Sequence, residues 1–197
     1  MKQTKMKTSF SNKLFLYTAA LAMAILGGTK TQAQPAVEAW VRSYNGLVES
    51  DDRAQKTALD SSGNVIVAGS SYGGINGRDW LIMKYSSAGV PLWTNRYNQP
   101  DNDVASGSAN AVAVDGSDNV IVTGYLYDGF NCVTIKYSGA GVPLWTNRYN
   151  GSRNYWGDFT NAVALDGSGN VFVTGGSATI AYSSAGVPLW TNDYPAA

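Results

Sequence analysis

The chain contains no histidine, which removes the commonest general base, any Ser-His-Asp triad and any His-ligated zinc site. Its single cysteine, Cys132, allows no internal disulfide, so stability must come from buried apolar surface. With no histidine to activate it, that thiol reads as a small buried apolar residue on a strand rather than a nucleophile. Basic residues are scarce too: of 14 Lys and Arg, five lysines fall in residues 1–33, where there is no acid. Without that stretch, nine basic side chains face fourteen acidic ones, a net charge of about −5. Such a surface argues against nucleic acid and disfavours anionic membranes as partners, because clustered Lys and Arg supply most of that affinity. No helical periodicity follows residue 34, and the glycine-rich run at residues 69–77 opens no helix, so a phosphate loop is unsupported.

Lys2, Lys5, Lys7 and Lys13 precede a 13-residue weakly polar to apolar run at residues 14–26, then Gly27, Gly28 and Thr31-Gln32-Ala33. That is the order of a secretory signal peptide, expected to occupy residues 1–33 with cleavage after Ala33. The run is short for a bilayer span and is not repeated downstream, so no membrane span is expected after processing. No cysteine follows it, which argues against a lipid anchor there. The expected compartment is secreted, periplasmic or cell-surface.

Residues 34–197 are expected to form one repeat domain. Gly89-Val90-Pro91-Leu92-Trp93-Thr94-Asn95-Arg96-Tyr97-Asn98 recurs letter for letter at residues 141–150, and again at residues 186–194 with Asp193 in place of the arginine. Three landmarks precede each copy: an Asp opening a turn (Asp60, Asp115, Asp166), a Gly ending a strand (Gly69, Gly124, Gly175) and a Tyr before a Ser (Tyr85, Tyr137, Tyr182). Each unit reads as four short strands, A to D. Strand A is rich in small residues. Strand B, as in Val120-Ile121-Val122-Thr123, is apolar at successive positions and so should be covered on both faces. Strand C runs up to the landmark Tyr, and strand D opens on a Pro, as an outer edge strand permits. The Asp turns are tight A–B hairpins in which Asp caps backbone donors and Gly or Asn accepts positive φ.

Four antiparallel strands of this length, with a doubly covered second strand, fit a β-propeller blade. The pattern Ala-Leu-Asp-x-x-Gly-Asn-Val-x-Val-x-Gly, then Lys-Tyr-Ser-x-Ala-Gly and Leu-Trp-Thr-x-x-Tyr, resembles the bacterial SBBP-type β-propeller repeat. It extends from Trp40 to Tyr194 in three copies. The resemblance implies a secreted or surface propeller, and the family lends no catalytic residues. The expected fold is therefore all-β: a partial β-propeller of three four-stranded antiparallel blades, about 47–98, 99–150 and 151–195, plus one extra N-terminal strand at 40–45. Propellers usually need at least four blades to close, and the third unit already owns a strand D. Three arrangements stay open: a piece of a longer propeller, self-association that closes the ring, or an open arc.

The B–C and D–A connections share one end of such a blade and differ completely among the copies, whereas the other turns hardly change. Variable loops on a rigid scaffold are where recognition is placed. Tyr72, Asp79, Tyr127, Asp128, Tyr155, Trp156 and Asp158 on these loops form the candidate ligand-binding set. Aromatic faces beside carboxylates and amides suit a glycan or protein ligand. No catalytic residue, cofactor or metal is assigned. The A–B turns lack the alternating acids of a calcium loop, and Trp93, Trp145 and Trp190 read as packing residues between blades. The expected function is a secreted, non-catalytic binding or scaffold module. The alternatives are an exported polysaccharide hydrolase or lyase using loop carboxylates such as Asp128 with Asp158, or a truncated fragment of a longer propeller.

Overall fold

The computed structural model describes residues 38–46, 51–73, 77–98, 106–127, 131–151, 159–176 and 178–194. The expected signal peptide lies outside them. The chain divides into Met1–Glu38 and Ala39–Ala197, and all that follows concerns the second unit. Among the described residues every regular element is a strand, and no helix is long and apolar enough to cross a membrane.

Twelve strands form three four-stranded antiparallel meanders. The first holds β1 (Arg53–Leu59), β2 (Val65–Tyr72), β3 (Arg78–Tyr85) and β4 (Pro91–Tyr97). The second holds β5 (Gly107–Val114), β6 (Val120–Leu126), β7 (Asn131–Tyr137) and β8 (Pro143–Tyr149). The third holds β9 (Thr160–Leu165), β10 (Val171–Gly175), β11 (Ala178–Tyr182) and β12 (Pro188–Asp193). Pro91, Pro143 and Pro188 each open an edge strand, where the missing donor leaves no ladder partner unsatisfied. Gly63, Asp118 and Gly169 take positive φ at the same place in the three A–B turns. Asp118 is the only one of them carrying a side chain, and its carboxylate accepts hydrogen bonds from the Ser61 backbone (2.8 Å) and hydroxyl (2.7 Å) in the turn of the first sheet.

The sheets pack face to face in chain order: β5 lies against β1, β2 and β3, and β9 against β5 and β6. Ile66, Ala68, Trp80 and Ile82 of the first sheet meet Val120, Val122, Val133 and Ile135 of the second; Ile121 of the second meets Val171, Val173 and Ile180 of the third. Each fully buried Val or Ile contributes about 1.5–3 kcal/mol. The middle sheet fulfils the two-faced expectation, with Val120, Ile121 and Val122 all sealed. At the ends it fails: Val67 and Phe172 are only half-buried, because no further sheet covers those faces and the three do not close on themselves.

The extra strand expected at residues 40–45 is also corrected, since the segment makes no ladder and is held by its side chains. Trp40 Nε1 donates to the Ser87 carbonyl (3.0 Å) and Arg42 Nε to that of Gly89 (2.6 Å). The same two bonds recur between the sheets. Trp93 and Asn95 donate to the carbonyls of Gly139 (3.1 Å) and Gly141 (2.7 Å), and Trp145 and Asn147 to those of Ser184 (3.2 Å) and Gly186 (2.7 Å). Each indole lies on the positive-φ glycine of the receiving turn and beside its tyrosine: Trp40–Tyr85, Trp93–Tyr137 and Trp145–Tyr182 have centroids 6.0, 6.2 and 6.0 Å apart. Trp93 and Trp145 thus hold sheet to sheet, as expected of packing residues, whereas Trp190 is half exposed and rests on Phe172 of its own sheet.

A buried lysine reinforces each of the two junctions. Lys84 pairs with Asp60 (2.8 Å) and donates onward to the Gly139 carbonyl (3.0 Å); Lys136 pairs with Asp115 (2.9 Å) and donates to that of Ser184 (3.1 Å). In the third sheet the equivalent position is Ala181. Burial alone would raise the Asp60 carboxyl, but Lys84 and the Asn64 donors outweigh it and hold it at about 2. Asp115 is lowered in the same way, by Asn119 and Lys136 acting against burial.

Candidate functional site

Where the first and second sheets meet, at the end that carries the B–C and D–A connections, a cleft of about 270 Å3 opens. Inner strands β1 and β5 build its floor, and a repeated irregularity shapes it. Register shifts between Ala54 and Lys56 and between Ala109 and Ala111 leave Gln55 and Asn110 as extra residues, and both line the cleft. A bulge re-aims a side chain out of the alternation that would otherwise fix it. The third sheet repeats the device, skipping Asn161 between Thr160 and Ala162.

The bulges explain the strand-ending glycines. A Cβ on Gly69, Gly124 or Gly175 would stand 1.9, 2.0 or 2.3 Å from the carbonyl oxygen of Arg53, Ser108 or Phe159, in or just before the bulged inner strand. Only glycine lets the two backbones approach so closely.

One wall is cationic. Arg78 donates to the Asp51 carboxylate and carbonyl, each at 2.9 Å, and Arg53 Nε meets the same carboxylate oxygen at 2.8 Å. These hydrogen bonds, Arg53 first and Arg78 second, hold the Asp51 carboxyl below its ordinary range. Two guanidiniums share one carboxylate, so this wall keeps a positive balance. The Tyr72 ring lies 4.7 Å from the Arg78 guanidinium and orients it.

The other wall is aromatic. Tyr125 stands edge-on to Tyr127 (5.0 Å) and to Phe159 (4.6 Å). Burial first, then the neighbouring Tyr127 hydroxyl, pushes the Tyr125 phenol up to about 12, so it stays a neutral donor at any physiological pH. Beneath lies Ser108, buried to 7 % exposure, whose hydroxyl has no partner among the described residues. A buried hydroxyl lacking a hydrogen bond costs about 1–3 kcal/mol, and a ligand oxygen in the cleft would relieve that cost.

Of the candidate set, the structure brings Tyr127 and Tyr72 to this cleft, the second through Arg78. Asp79 is elsewhere: it is buried, 3.0 Å from Arg96, and serves as a counterion inside the first sheet. Asp128, Tyr155, Trp156 and Asp158 lie outside the described residues. Sequence reasoning missed Arg53, Gln55, Ser108 and Asn110, which sit on inner strands and not on loops. The recurring Asn before Ala-Val at residues 110 and 161 was the available signal. Among the described residues no group of three His, Cys, Asp or Glu side chains is placed to hold a metal.

No protein-family model and no curated protein matches this chain. Among solved structures it is similar to a protein of unknown function from Bacteroides caccae, at 12 % identity and a TM-score of 0.49, over 74 % of this chain and 47 % of the other. The chain thus spans about half the length of that structure.

Proposed function

We propose that this chain is an exported, non-catalytic binding module of the β-propeller type, akin to SBBP repeats, and that the cleft between its first two sheets takes a sugar ring of a glycan. Three meanders stacked face to face with inner strands adjacent support the propeller reading, and the leader-like residues 1–33 support export. The observation that carries the ligand class is the composition of the cleft: guanidinium donors and the Gln55 amide on one side, tyrosines on the other, and below them a buried hydroxyl without a partner among the described residues. Sugars present alternating hydroxyls and flat C–H faces, which such walls satisfy with directed hydrogen bonds and stacking. A volume of about 270 Å3 suits one ring better than a polypeptide surface. Asp51, beside the cleft, and Asp79, inside the first sheet, are both engaged by arginines, which suits binding better than proton transfer.

Glycan-array screening followed by calorimetry on the best hit tests this. Arg78→Ala is expected to weaken binding about tenfold or more, the worth of one or two charge-assisted hydrogen bonds, and Tyr125→Ala by a comparable factor, with no turnover of the bound glycan. Binding unaffected by both substitutions, or release of cleaved product, would overturn the proposal.

A further inference from the structure

The junction between neighbouring sheets is directional. The leading sheet presents a Trp, an Asn and a Tyr on its outer strand; the following sheet offers two turn carbonyls, a positive-φ glycine and a tyrosine ring. This contact is made twice within the chain. Its leading half also stands exposed at the trailing end, and its receiving half is covered at the other end by Trp40 and Tyr44 in place of a sheet.

At the trailing end, Trp190, Asn192 and Tyr194 repeat the leading set on β12 and its continuation, and Thr174 with Thr179 repeats the hydroxyl pair Thr123 with Thr134. Among the described residues neither the Trp190 indole nor the Asn192 amide donates a side-chain hydrogen bond. Trp190 is 48 % exposed, resting on Phe172 at 6.0 Å. Capping repeats of an array carry a polar outer face. This one carries the chemistry of an internal junction.

At the leading end, Val67, Leu81, Met83 and Tyr85 form the receiving face, which in the second and third sheets is covered by the preceding sheet. Here a cavity of about 250 Å3 remains over it. Among the described residues its rim is filled by Trp40 and Arg42, which occupy the Ser87 and Gly89 carbonyls, and by Tyr44, whose hydroxyl accepts from Arg96.

We infer that the third sheet docks head-to-tail on the first sheet of a second copy of this chain, and that residues 40–44 are an intramolecular placeholder that competes for the same turn. A leading and a receiving face on one molecule, matched by a contact already used twice inside it, specify a second copy as the occupant. Two copies bring six sheets, within the four to eight that close a ring, and a two-fold dimer makes the new junction twice. Ala181 stands where Lys84 and Lys136 tie the internal junctions, so the intermolecular one lacks its ion-paired lysine and is the weaker, reversible contact. The inference is independent of what the cleft binds.

Sedimentation of the purified chain over a concentration series tests it. Trp40→Ala/Arg42→Ala, which vacates the turn, should dimerise with a dissociation constant at least tenfold below that of the parent, and adding Trp190→Ala/Asn192→Ala should reverse this. Mixing the quadruple variant, which can only receive, with the parent, which retains its leading face, should yield a one-to-one dimer that the quadruple variant alone does not form. The inference is overturned if vacating the turn leaves the mass unchanged, or if association survives loss of Trp190 and Asn192. Should the vacated variants lose their strand signal in circular dichroism, the parent and its Trp190→Ala/Asn192→Ala form are compared at high concentration. A lower mass for the latter supports the inference, and equal masses overturn it.

Discussion

Asp60→Ala is expected to cost about 3–5 kcal/mol at neutral pH, a large part of a typical domain's stability, because it strands a charge. The Lys84 side chain is 5 % exposed and that of Asp60 2 %, so neither can turn to water once its partner is gone. The same carboxylate accepts hydrogen bonds from the Ser62 and Asn64 amides at 2.9 and 2.8 Å and caps the turn. Chemical denaturation should show the loss as a lower midpoint with an unchanged slope. Asp60→Ala combined with Lys84→Met, which leaves no stranded charge but also no turn cap, should recover much of it. Recovery absent from the double variant would mean that the turn cap, and not the charge, dominates. The pH dependence has a definite sign. A carboxyl held at about 2 in the folded chain, against an ordinary 3.8, contributes stability that is fully present above about pH 4 and is lost as the pH falls through about 2. Asp60→Asn, with no carboxyl to titrate, should flatten the stability profile across that window.

Gly124→Ala should be nearly as severe, at about 3 kcal/mol, the upper range for forcing a methyl into a filled site. The added carbon would stand 2.0 Å from the Ser108 carbonyl oxygen, 2.8 Å from the Trp80 ring and 2.9 Å from Ala109 Cα. Two of those are backbone or its immediate neighbour, and the third belongs to a fully buried indole, so nothing nearby yields cheaply. Gly116→Ala is the control: its Cβ would meet nothing within 4 Å, and a change under about 0.5 kcal/mol is expected. Thermal unfolding of the two variants side by side decides it, and equal melting temperatures would disprove the close approach at the bulge.

The units, their strand order and the role of the tryptophans were legible because each is written three times and rests on local chemistry: alternation, turn residues, a proline at a strand's first position. What escaped depended on partners distant in the chain. Lys84 reads as the polar end of a strand, and only its placement against Asp60, across a hairpin, and Gly139, in another sheet, makes it a buried tie. Its loss at Ala181 in the last copy was visible but had no meaning without the junction. Asp79 looked like a loop ligand because it borders a variable connection, yet its register opposite Ser71 turns it inward to Arg96. The cleft was half legible. Its tyrosines follow from loop divergence, but Gln55 and Asn110 face it through bulges, which appear as no more than one residue too many in an otherwise ordinary strand.

The acceptors at every junction, Ser87, Gly139 and Ser184, and then Gly89, Gly141 and Gly186, are main-chain oxygens. Any amino acid supplies one, which is why Ser87 and Gly139 accept the same indole bond despite differing in side chain. What the recipient adds is the positive-φ glycine under the indole and the tyrosine beside it, and every copy carries both, so a freshly duplicated copy would bring donor and recipient halves together. Growth of the array by gene duplication needs no coordinated substitution, so copy number can drift faster than the interface that holds the copies together.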